Sequence, residues 1–191
     1  MRIFVGASSN ENLEEKYVND CKKLLEVLLK ENDLVFGAYN NGLMGISYEI
    51  AKKYNRKVTG MCPEFYRDRL EALDCDKSEV TSTMLDSTLK IYENSDLLIF
   101  LPGGFGSIYE FFTANYSKIC DEINIPIILY NSCGFYDKLI EFIDEIDSKK
   151  LIRDSEKNKF VIANNIEEVM LYLKEYMWYY NYRSWYYGIR I

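Results

Sequence analysis

The stretch LPGGFGSIYE, residues 101–110, brings together three glycines, a serine and a carboxylate. Glycine has no Cβ, so its backbone can approach a ligand closely and can adopt positive φ. Backbone N–H groups at the start of the helix that follows would attract an anion such as phosphate. Ser107 is suited either to cap that helix or to contact the phosphate with its hydroxyl. The spacing predicts an anion-binding loop followed, one helical turn later, by the carboxylate of Glu110.

Glu110 follows Ser107 by three residues, and this spacing supports two interpretations. An S-x-x-E pair can form a capping box, in which both side chains satisfy backbone N–H groups at a helix start. Alternatively, the carboxylate faces the same pocket as the loop, where it could stabilise the oxocarbenium-like state of sugar cleavage and orient water. The first interpretation is structural and the second catalytic, and the residues alone leave both open.

Two further glycine-bearing loops follow apolar runs, GASSN at residues 6–10 and FGAYNNGLMG at residues 36–45. In an open parallel sheet, such loops leave the carboxyl ends of the strands, where ligands bind. The chain contains neither the P-loop pattern GxxxxGK[ST] nor a GxGxxG dinucleotide fingerprint on its first strand. Three glycine loops at one sheet edge predict a site for a small ligand that carries phosphate.

The composition excludes several classes of function. The chain has no histidine, which excludes Ser-His-Asp and Cys-His catalysis and His-ligated metals. Five widely spaced cysteines without a CxxC pair indicate reduced thiols in a cytoplasmic protein. A formal net charge of −7 argues against a nucleic-acid polymer as partner. No apolar run approaches the roughly 20 residues of a membrane span, and the opening residues do not resemble a signal peptide.

Short apolar runs alternate with helical patterns along most of the chain. The predicted strands are residues 2–6, 33–37, 57–61, 97–101, 126–130 and 159–163. The predicted helices are residues 11–31, 42–55, 83–95, 107–121, 135–148 and 165–176. The runs are nearly continuous in apolar residues, which is typical of strands buried on both faces of a parallel sheet. The alternation predicts an α/β fold, with a doubly wound, mostly parallel sheet and helices on both faces.

Two segments depart from this alternation. Residues 63–82 form a long polar connection, which we expect to be a functional loop over the site. Residues 176–191 carry eight aromatic residues in sixteen positions. We therefore predict a single domain over residues 1–176 and an aromatic tail over residues 177–191. The tail could pack on the domain or across a dimer, or it could be a base-stacking arm or a partner-binding peptide.

The three glycine loops together resemble a known family. PGGFGSIYE is similar to the PGGxGTxxE signature of the LOG-type proteins, the cytokinin riboside 5′-monophosphate phosphoribohydrolases once misnamed lysine decarboxylases. FGAYNNGLMG resembles their GGGxxGLMG motif, and FVGASS resembles their opening strand, which ends in GSS. The resemblance implies a Rossmann-like homodimer that cleaves the N-glycosidic bond of a nucleoside 5′-monophosphate. Its partner would be that small-molecule nucleotide, and it would need no metal or organic cofactor.

The resemblance also assigns roles to individual positions. Glu110 would be the catalytic carboxylate. Residues of the loop at 102–107 would bind phosphate, and residues of the other two loops, with Met84, would shape the nucleotide pocket. The predicted ligand-binding set is Gly6, Ser8, Ser9, Gly42, Met44, Gly45, Met84, Gly103, Gly104, Phe105, Gly106 and Ser107.

The chain departs from the family pattern at a second catalytic element, an Arg-Lys pair on the helix before the signature strand. Counted without gaps, this pair falls on Ser87 and Thr88, neither of which can offer a guanidinium to substrate oxygens. Lys90, one turn along the helix, is one substitute, and Arg67 and Arg69 in the polar connection are others. The sequence therefore supports a hydrolase with weakened chemistry and, as the alternative, a non-catalytic nucleotide-binding or sensing protein on the same fold.

Overall fold

The computed structural model describes residues 1–157 and 159–187 as an α/β fold built on one parallel sheet. Within these residues the strands are β1 Arg2–Gly6, β2 Asp33–Phe36, β3 Val58–Pro63, β4 Lys77–Thr81, β5 Leu97–Phe100, β6 Ile127–Tyr130 and β7 Val161–Ala163. The α-helices are α1 Glu15–Leu28, α2 Gly42–Lys53, α3 Arg67–Glu71, α4 Met84–Glu93, α5 Phe105–Ile119, α6 Asp137–Ser148 and α7 Ile166–Tyr187. Short 3-10 turns lie at Glu64–Tyr66, Ser132–Gly134 and Asp154–Glu156.

The sheet has the strand order β4-β3-β2-β1-β5-β6-β7, and each neighbouring pair is parallel. One apolar layer packs the sheet against α1, α2 and α7, with Leu24, Ile50 and Val169 in its core. The opposite layer packs it against α4, α5 and α6, with Tyr92 and Phe111 in its core. The predicted doubly wound sheet with helices on both faces is confirmed. Beyond their first residues, the central strands are apolar because both of their faces are covered.

The expectation that residues 63–82 form one long connection was wrong, although part of the segment lines the cleft described below. This segment contains α3 and the edge strand β4, in place of one long connection. The sequence KSEVT of β4 is polar because the strand lies at the sheet edge and is largely solvent-accessible, so it lacks the apolar run that marks a buried strand. The six strands predicted from apolar runs are all present, with ends that shift by at most two residues.

The last helix also differs from its predicted extent. We expected a helix ending at residue 176 and then a tail, whereas the backbone of α7 continues as helix to Tyr187. The final four residues of the expected tail, 188–191, lie outside the described residues. In the part of the chain that the structure describes, no helix is both long and apolar enough to cross a membrane.

The order of the strands reverses between β1 and β5, which lie side by side at the centre of the sheet. From this point the chain runs outward in both directions, which opens a crevice beyond the carboxyl ends of the strands. The three glycine loops meet there: the Ser8 N–H donates to the Pro102 carbonyl at 3.0 Å, and the Met44 N–H donates to the Ser8 carbonyl at 3.2 Å. The topology therefore brings together the loops that the sequence separates by up to about a hundred residues.

Candidate functional site

A cleft of about 560 Å³ lies at this crevice. Its walls are the loops after β1 and β2, the segment that runs from β3 into α3, one face of α4, and the first turns of α5. These are the carboxyl ends of the central strands and the elements that follow them. The position is the one expected for a ligand site in an open parallel sheet.

The N-terminus of α5 presents backbone N–H groups to the cleft. Gly104 is the N-cap and offers no side chain, and the first bond of the helix runs from the Ile108 N–H to the Gly104 carbonyl at 3.0 Å. The N–H groups of Phe105, Gly106 and Ser107 precede that bond, and all three residues line the cleft. This helix has fifteen residues, so its dipole adds to the attraction of the unbonded N–H groups for an anion.

The glycines of this loop serve two different purposes. A Cβ added to Gly104 or Gly106 would meet nothing within 4 Å, so it would project into open space on a cleft-lining residue. A Cβ added to Gly103 would instead collide with the Ser107 side chain. Gly103 therefore lets the loop pack, while Gly104 and Gly106 leave the bare backbone accessible to a ligand.

Glu110 lies one turn further along α5 and is only 9% exposed, yet it lines the cleft. Among the described residues, its carboxyl group has no hydrogen-bond or ion-pair partner. Burial raises the pKa of this carboxyl to about 8 from its ordinary value of 4.5. The hydroxyl of Tyr92 donates to the Glu110 backbone carbonyl at 2.7 Å and so fixes this turn of α5 against α4. A buried acid aimed into a cleft without a partner is typical of a functional group.

The capping-box interpretation of Ser107 and Glu110 was wrong, as was the suggestion that Ser107 caps the helix. The helix begins at Phe105, so Ser107 is its third residue and Gly104 is the cap, with no side-chain capping bond. The Ser107 side chain is buried beside Gly103 at the cleft wall. Glu110 therefore takes no part in a capping box, and its catalytic role stays a prediction.

Helix α4 presents Met84, Ser87, Thr88 and Ile91 to the cleft. Ser87 is 3% exposed, and the Thr88 hydroxyl donates to the Met84 carbonyl at 2.9 Å. This face of α4 is therefore uncharged at Ser87 and Thr88, the two positions where the resemblance would place Arg and Lys. Lys90 does not compensate, because it lies outside the cleft lining and its ammonium pairs with Glu93 at 2.7 Å.

Of the two arginines that the polar connection offered, one reaches the cleft. The guanidinium carbon of Arg69 lies 3.9 Å from the ring centre of Tyr66 and 4.4 Å from that of Tyr39, and all three residues line the cleft. Arg67 points elsewhere and pairs with Glu64 at 2.7 Å. The cleft therefore holds a cation on α3 in place of one on α4.

The remaining predicted residues divide into two groups. Ser8, Ser9 and Met44 line the cleft together with the first residues of α5. Gly6, Gly42 and Gly45 do not line it and instead allow close packing beneath it. Gly42 has a φ of +59°, and a Cβ there would lie 2.5 Å from the Asn10 carbonyl oxygen. These three glycines position the loops around the site.

Sequence reasoning missed the aromatic side chains at the mouth of the cleft. Tyr39, Phe65 and Tyr66 join Phe105, which was predicted and is 95% exposed. The signal that could have found two of them is the pair FY within the otherwise polar segment 63–82. Such rings offer flat apolar surfaces to a ligand that contains an aromatic ring.

Comparisons with known proteins identify a family and several similar chains. A family model described as possible lysine decarboxylase matches residues 44–173. The cytokinin riboside 5′-monophosphate phosphoribohydrolase LOG2 of Arabidopsis thaliana is 29% identical over 177 residues, which cover 91% of this chain and 82% of that protein. The probable cytokinin riboside 5′-monophosphate phosphoribohydrolase LOGL2 of Oryza sativa subsp. japonica is 28% identical over 177 residues. These residues cover 92% of this chain and 72% of that protein.

Solved structures share the fold at lower sequence identity. The molybdenum cofactor (Moco) carrier protein of Chlamydomonas reinhardtii has a TM-score of 0.65 and 17% identity, covering 91% of this chain and 95% of that one. The molybdenum cofactor binding protein of Rippkaea orientalis has a TM-score of 0.63 and 21% identity, covering 92% and 96%. These likenesses concern the architecture of the sheet and its helices.

Proposed function

This chain belongs to the possible lysine decarboxylase family, which includes the LOG-type phosphoribohydrolases, and on that premise we propose that it hydrolyses the N-glycosidic bond of a nucleoside 5′-monophosphate. The products are a free base and ribose 5-phosphate. The observation that carries the proposal is the buried, unpartnered carboxyl of Glu110, one turn beyond the bare N-terminus of α5 in the same cleft.

The N-terminus of α5 holds the phosphate in this proposal. The N–H groups of Phe105, Gly106 and Ser107 donate to its oxygens, and no side chain at Gly104 or Gly106 keeps the ligand at a distance. Anchoring the phosphate fixes the ribose a short distance away, so that its anomeric carbon approaches Glu110. Holding the reacting groups in place in this way lowers the entropic part of the barrier.

Glu110 acts in its ionised form. Its carboxylate accepts a proton from a water molecule whose oxygen bonds to C1′, while the C1′–N bond breaks and its electron pair leaves with the base. The base then takes up a proton from the solvent and Glu110 returns its own proton to the solvent, which gives the free base and restores the carboxylate. The negative charge also stabilises the oxocarbenium character that develops at C1′. Because burial raises the pKa of Glu110 to about 8, about a tenth of the molecules carry the carboxylate at pH 7. The rate at low substrate concentration therefore rises with pH up to about 8.

Exposed aromatic rings at the cleft mouth contact the base. Phe65 and Phe105 are both strongly exposed, whereas the rings of Tyr39 and Tyr66 stack against the Arg69 guanidinium. Stacking of a base on such rings stabilises binding by about 1–3 kcal/mol per base in nucleic-acid-binding proteins. The homodimer implied by the resemblance and the cytoplasmic location indicated by the cysteines are part of this proposal, and so is catalysis without a metal or an organic cofactor.

A non-catalytic nucleotide-binding or sensing protein is the second candidate. Ser87 favours it, because a neutral, buried hydroxyl stands where the family places a guanidinium. Loss of such an electrostatic contact costs about 3 kcal/mol in a typical enzyme, which is a rate loss of about a hundredfold. In this case the anion site and the aromatic mouth would bind a nucleotide without cleaving it.

Incubation with a panel of nucleoside 5′-monophosphates, followed by chromatography for free base, tests the proposal. We expect base release by the wild-type protein and none by Glu110→Gln. The control variant Glu141→Gln, which changes an exposed carboxylate on α6, should release base like the wild type. Release that persists unchanged in Glu110→Gln would remove Glu110 from the mechanism. Absence of release, combined with a nucleotide-dependent rise in melting temperature, would favour the second candidate.

A further inference from the structure

The cleft is lined by one basic and one acidic side chain, and the two lie on different helices. Among the residues that line it, Arg69 on α3 is the basic one and Glu110 on α5 is the acidic one. The face of α4 between them contributes hydroxyls and apolar groups only. Any positive charge that a side chain of the lining offers to a ligand therefore comes from Arg69.

Arg69 differs from the other arginines whose side chains the structure describes. Arg2 pairs with Asp96, Arg67 with Glu64, and Arg153 with Glu156, while the Arg56 Nε–H donates to the Tyr54 carbonyl. Within the described part of the chain, the guanidinium of Arg69 donates no hydrogen bond and makes no ion pair. Although the protein has 30 acidic residues, the five N–H donors of this guanidinium are not used within the described structure, and they are available to a ligand.

Two tyrosine rings hold this guanidinium in place. Its central carbon lies 3.9 Å from the ring centre of Tyr66 and 4.4 Å from that of Tyr39. Cation–π contacts of this kind stabilise an exposed arginine by about 0.5–1 kcal/mol each. They restrict a side chain that would otherwise move freely, so less conformational entropy is lost when its N–H groups bind a ligand.

We propose that Arg69 binds the 5′-phosphate of the ligand, together with the N–H groups at the start of α5. This inference rests on the proposed function for the identity of the ligand, whose single anionic group is the phosphate. A guanidinium donates two parallel hydrogen bonds to phosphate oxygens, which makes phosphate its natural partner. Arg69 thereby supplies from α3 the positive charge that Ser87 and Thr88 do not supply from α4.

Binding of ribose 5-phosphate and of ribose, measured by titration calorimetry at fixed ionic strength, tests this assignment without turnover. Arg69→Gln removes the charge and keeps a shorter polar side chain. Arg67→Gln is the matched control, since it lies on the same helix and its guanidinium pairs with Glu64 outside the cleft. We expect Arg69→Gln to weaken the binding of ribose 5-phosphate roughly ten- to a hundredfold, as the loss of a charged hydrogen bond does. The affinity for ribose should not change.

Further variants separate the charge of Arg69 from its placement. We expect Arg69→Lys to recover part of the affinity, Tyr66→Leu to lose part of it, and Tyr66→Phe to retain it, since the ring is kept. The salt dependence of ribose 5-phosphate binding falls in Arg69→Gln because one ionic contact is lost. Both arginine side chains are exposed, so we expect comparable melting temperatures for Arg69→Gln and Arg67→Gln. That result would show that the loss of affinity is not caused by a loss of folded protein.

Three results would overturn the assignment. They are ribose 5-phosphate affinity in Arg69→Gln within twofold of wild type, equal weakening of ribose and ribose 5-phosphate, or no binding of ribose 5-phosphate by the wild-type protein. The proposed hydrolysis fails separately. If wild type releases no base and Arg69→Gln still weakens ribose 5-phosphate, the phosphate contact stands and the hydrolase does not. If wild type releases base and Arg69→Gln binds ribose 5-phosphate normally, the hydrolase stands and the phosphate contact of Arg69 does not.

Discussion

The burial of Glu110 makes a quantitative prediction about the stability of the fold. The pKa of its carboxyl is about 8 in the folded protein and 4.5 in its ordinary state, so the folded protein retains a proton that the unfolded chain loses. Between these two values the folded state binds more protons, and the free energy of unfolding therefore falls as pH rises. The destabilisation is absent well below pH 4.5 and complete above pH 8.

The size of the effect follows from linkage. Each pH unit in this window removes up to about 1.4 kcal/mol, so the loss attributable to Glu110 between pH 5 and pH 8.5 is about 4 kcal/mol. Glu110→Gln has no group to titrate at this position. We expect the stability of the variant relative to wild type to rise by that amount over the same range, whatever fixed offset the amide introduces at pH 5.

Urea unfolding followed by fluorescence measures this difference. With a slope of about 2.5 kcal/mol per M for a chain of this size, the unfolding midpoint of Glu110→Gln relative to wild type should shift upward by about 1.5 M between pH 5 and pH 8.5. Glu141→Gln, on the surface of α6, should follow the wild type throughout. Parallel pH profiles for wild type and Glu110→Gln would show that the carboxyl is hydrated in the folded state, and the argument from its burial would then be wrong.

Three substitutions and a pH profile test other parts of the account. Gly106→Ala places a methyl group in the open cleft, so it should weaken ribose 5-phosphate binding more than tenfold in titration calorimetry while raising stability by about 0.5–1 kcal/mol, because alanine is the better helix former. Tyr92→Phe removes the hydroxyl that donates to the Glu110 carbonyl and should lower the free energy of urea unfolding by about 1–2 kcal/mol. Ser87→Arg adds a guanidinium to the cleft face of α4 and should increase the rate of base release by about tenfold or more, whereas the same change at Leu89, which does not line the cleft, should not. The value of kcat/KM for base release should rise with pH to a plateau with an apparent pKa near 8, and a fall through that range would make Glu110 a proton donor.

Much of the fold could be predicted because the central strands are covered on both faces. A strand such as LLIF at β5 is apolar at every position for that reason, and its ends follow from the flanking polar residues and glycines. The edge strand β4 has no such pattern, since only part of it is covered and its sequence KSEVT resembles a loop. Its pairing with β3 is a tertiary contact that no local pattern records.

The site could be predicted in part for a similar reason. The order of strands in a doubly wound sheet places the loops after β1 and β5 together, which is why Ser8, Phe105 and Glu110 share one cleft. The start of α5 was placed two residues late because the cap is the glycine at position 104, and this error kept the capping box open as an interpretation. A helix boundary depends on backbone angles at one or two residues, which composition specifies weakly.

The role of Arg69 could not be separated from that of Arg67 by sequence. Both lie on α3, which has five residues, and their spacing of two residues directs them to different sides of the helix. The two side chains differ in the residues that they contact. Arg67 forms ion pairs with acidic residues, whereas Arg69 packs on the rings of Tyr39 and Tyr66. Tyr39 belongs to the loop after β2, far away in the chain, so this contact exists only once the sheet has formed.

We propose that the protein cleaves the bond between base and ribose and leaves the phosphate ester intact. Phosphorus NMR of a nucleoside 5′-monophosphate incubated with the protein, with the base quantified by its ultraviolet absorbance, tests this most directly. The account predicts that the substrate resonance is replaced by that of ribose 5-phosphate in equal amount to the free base, and that Glu110→Gln leaves the substrate unchanged. Formation of inorganic phosphate and nucleoside, or an unchanged spectrum with wild-type protein that binds the nucleotide, would contradict it.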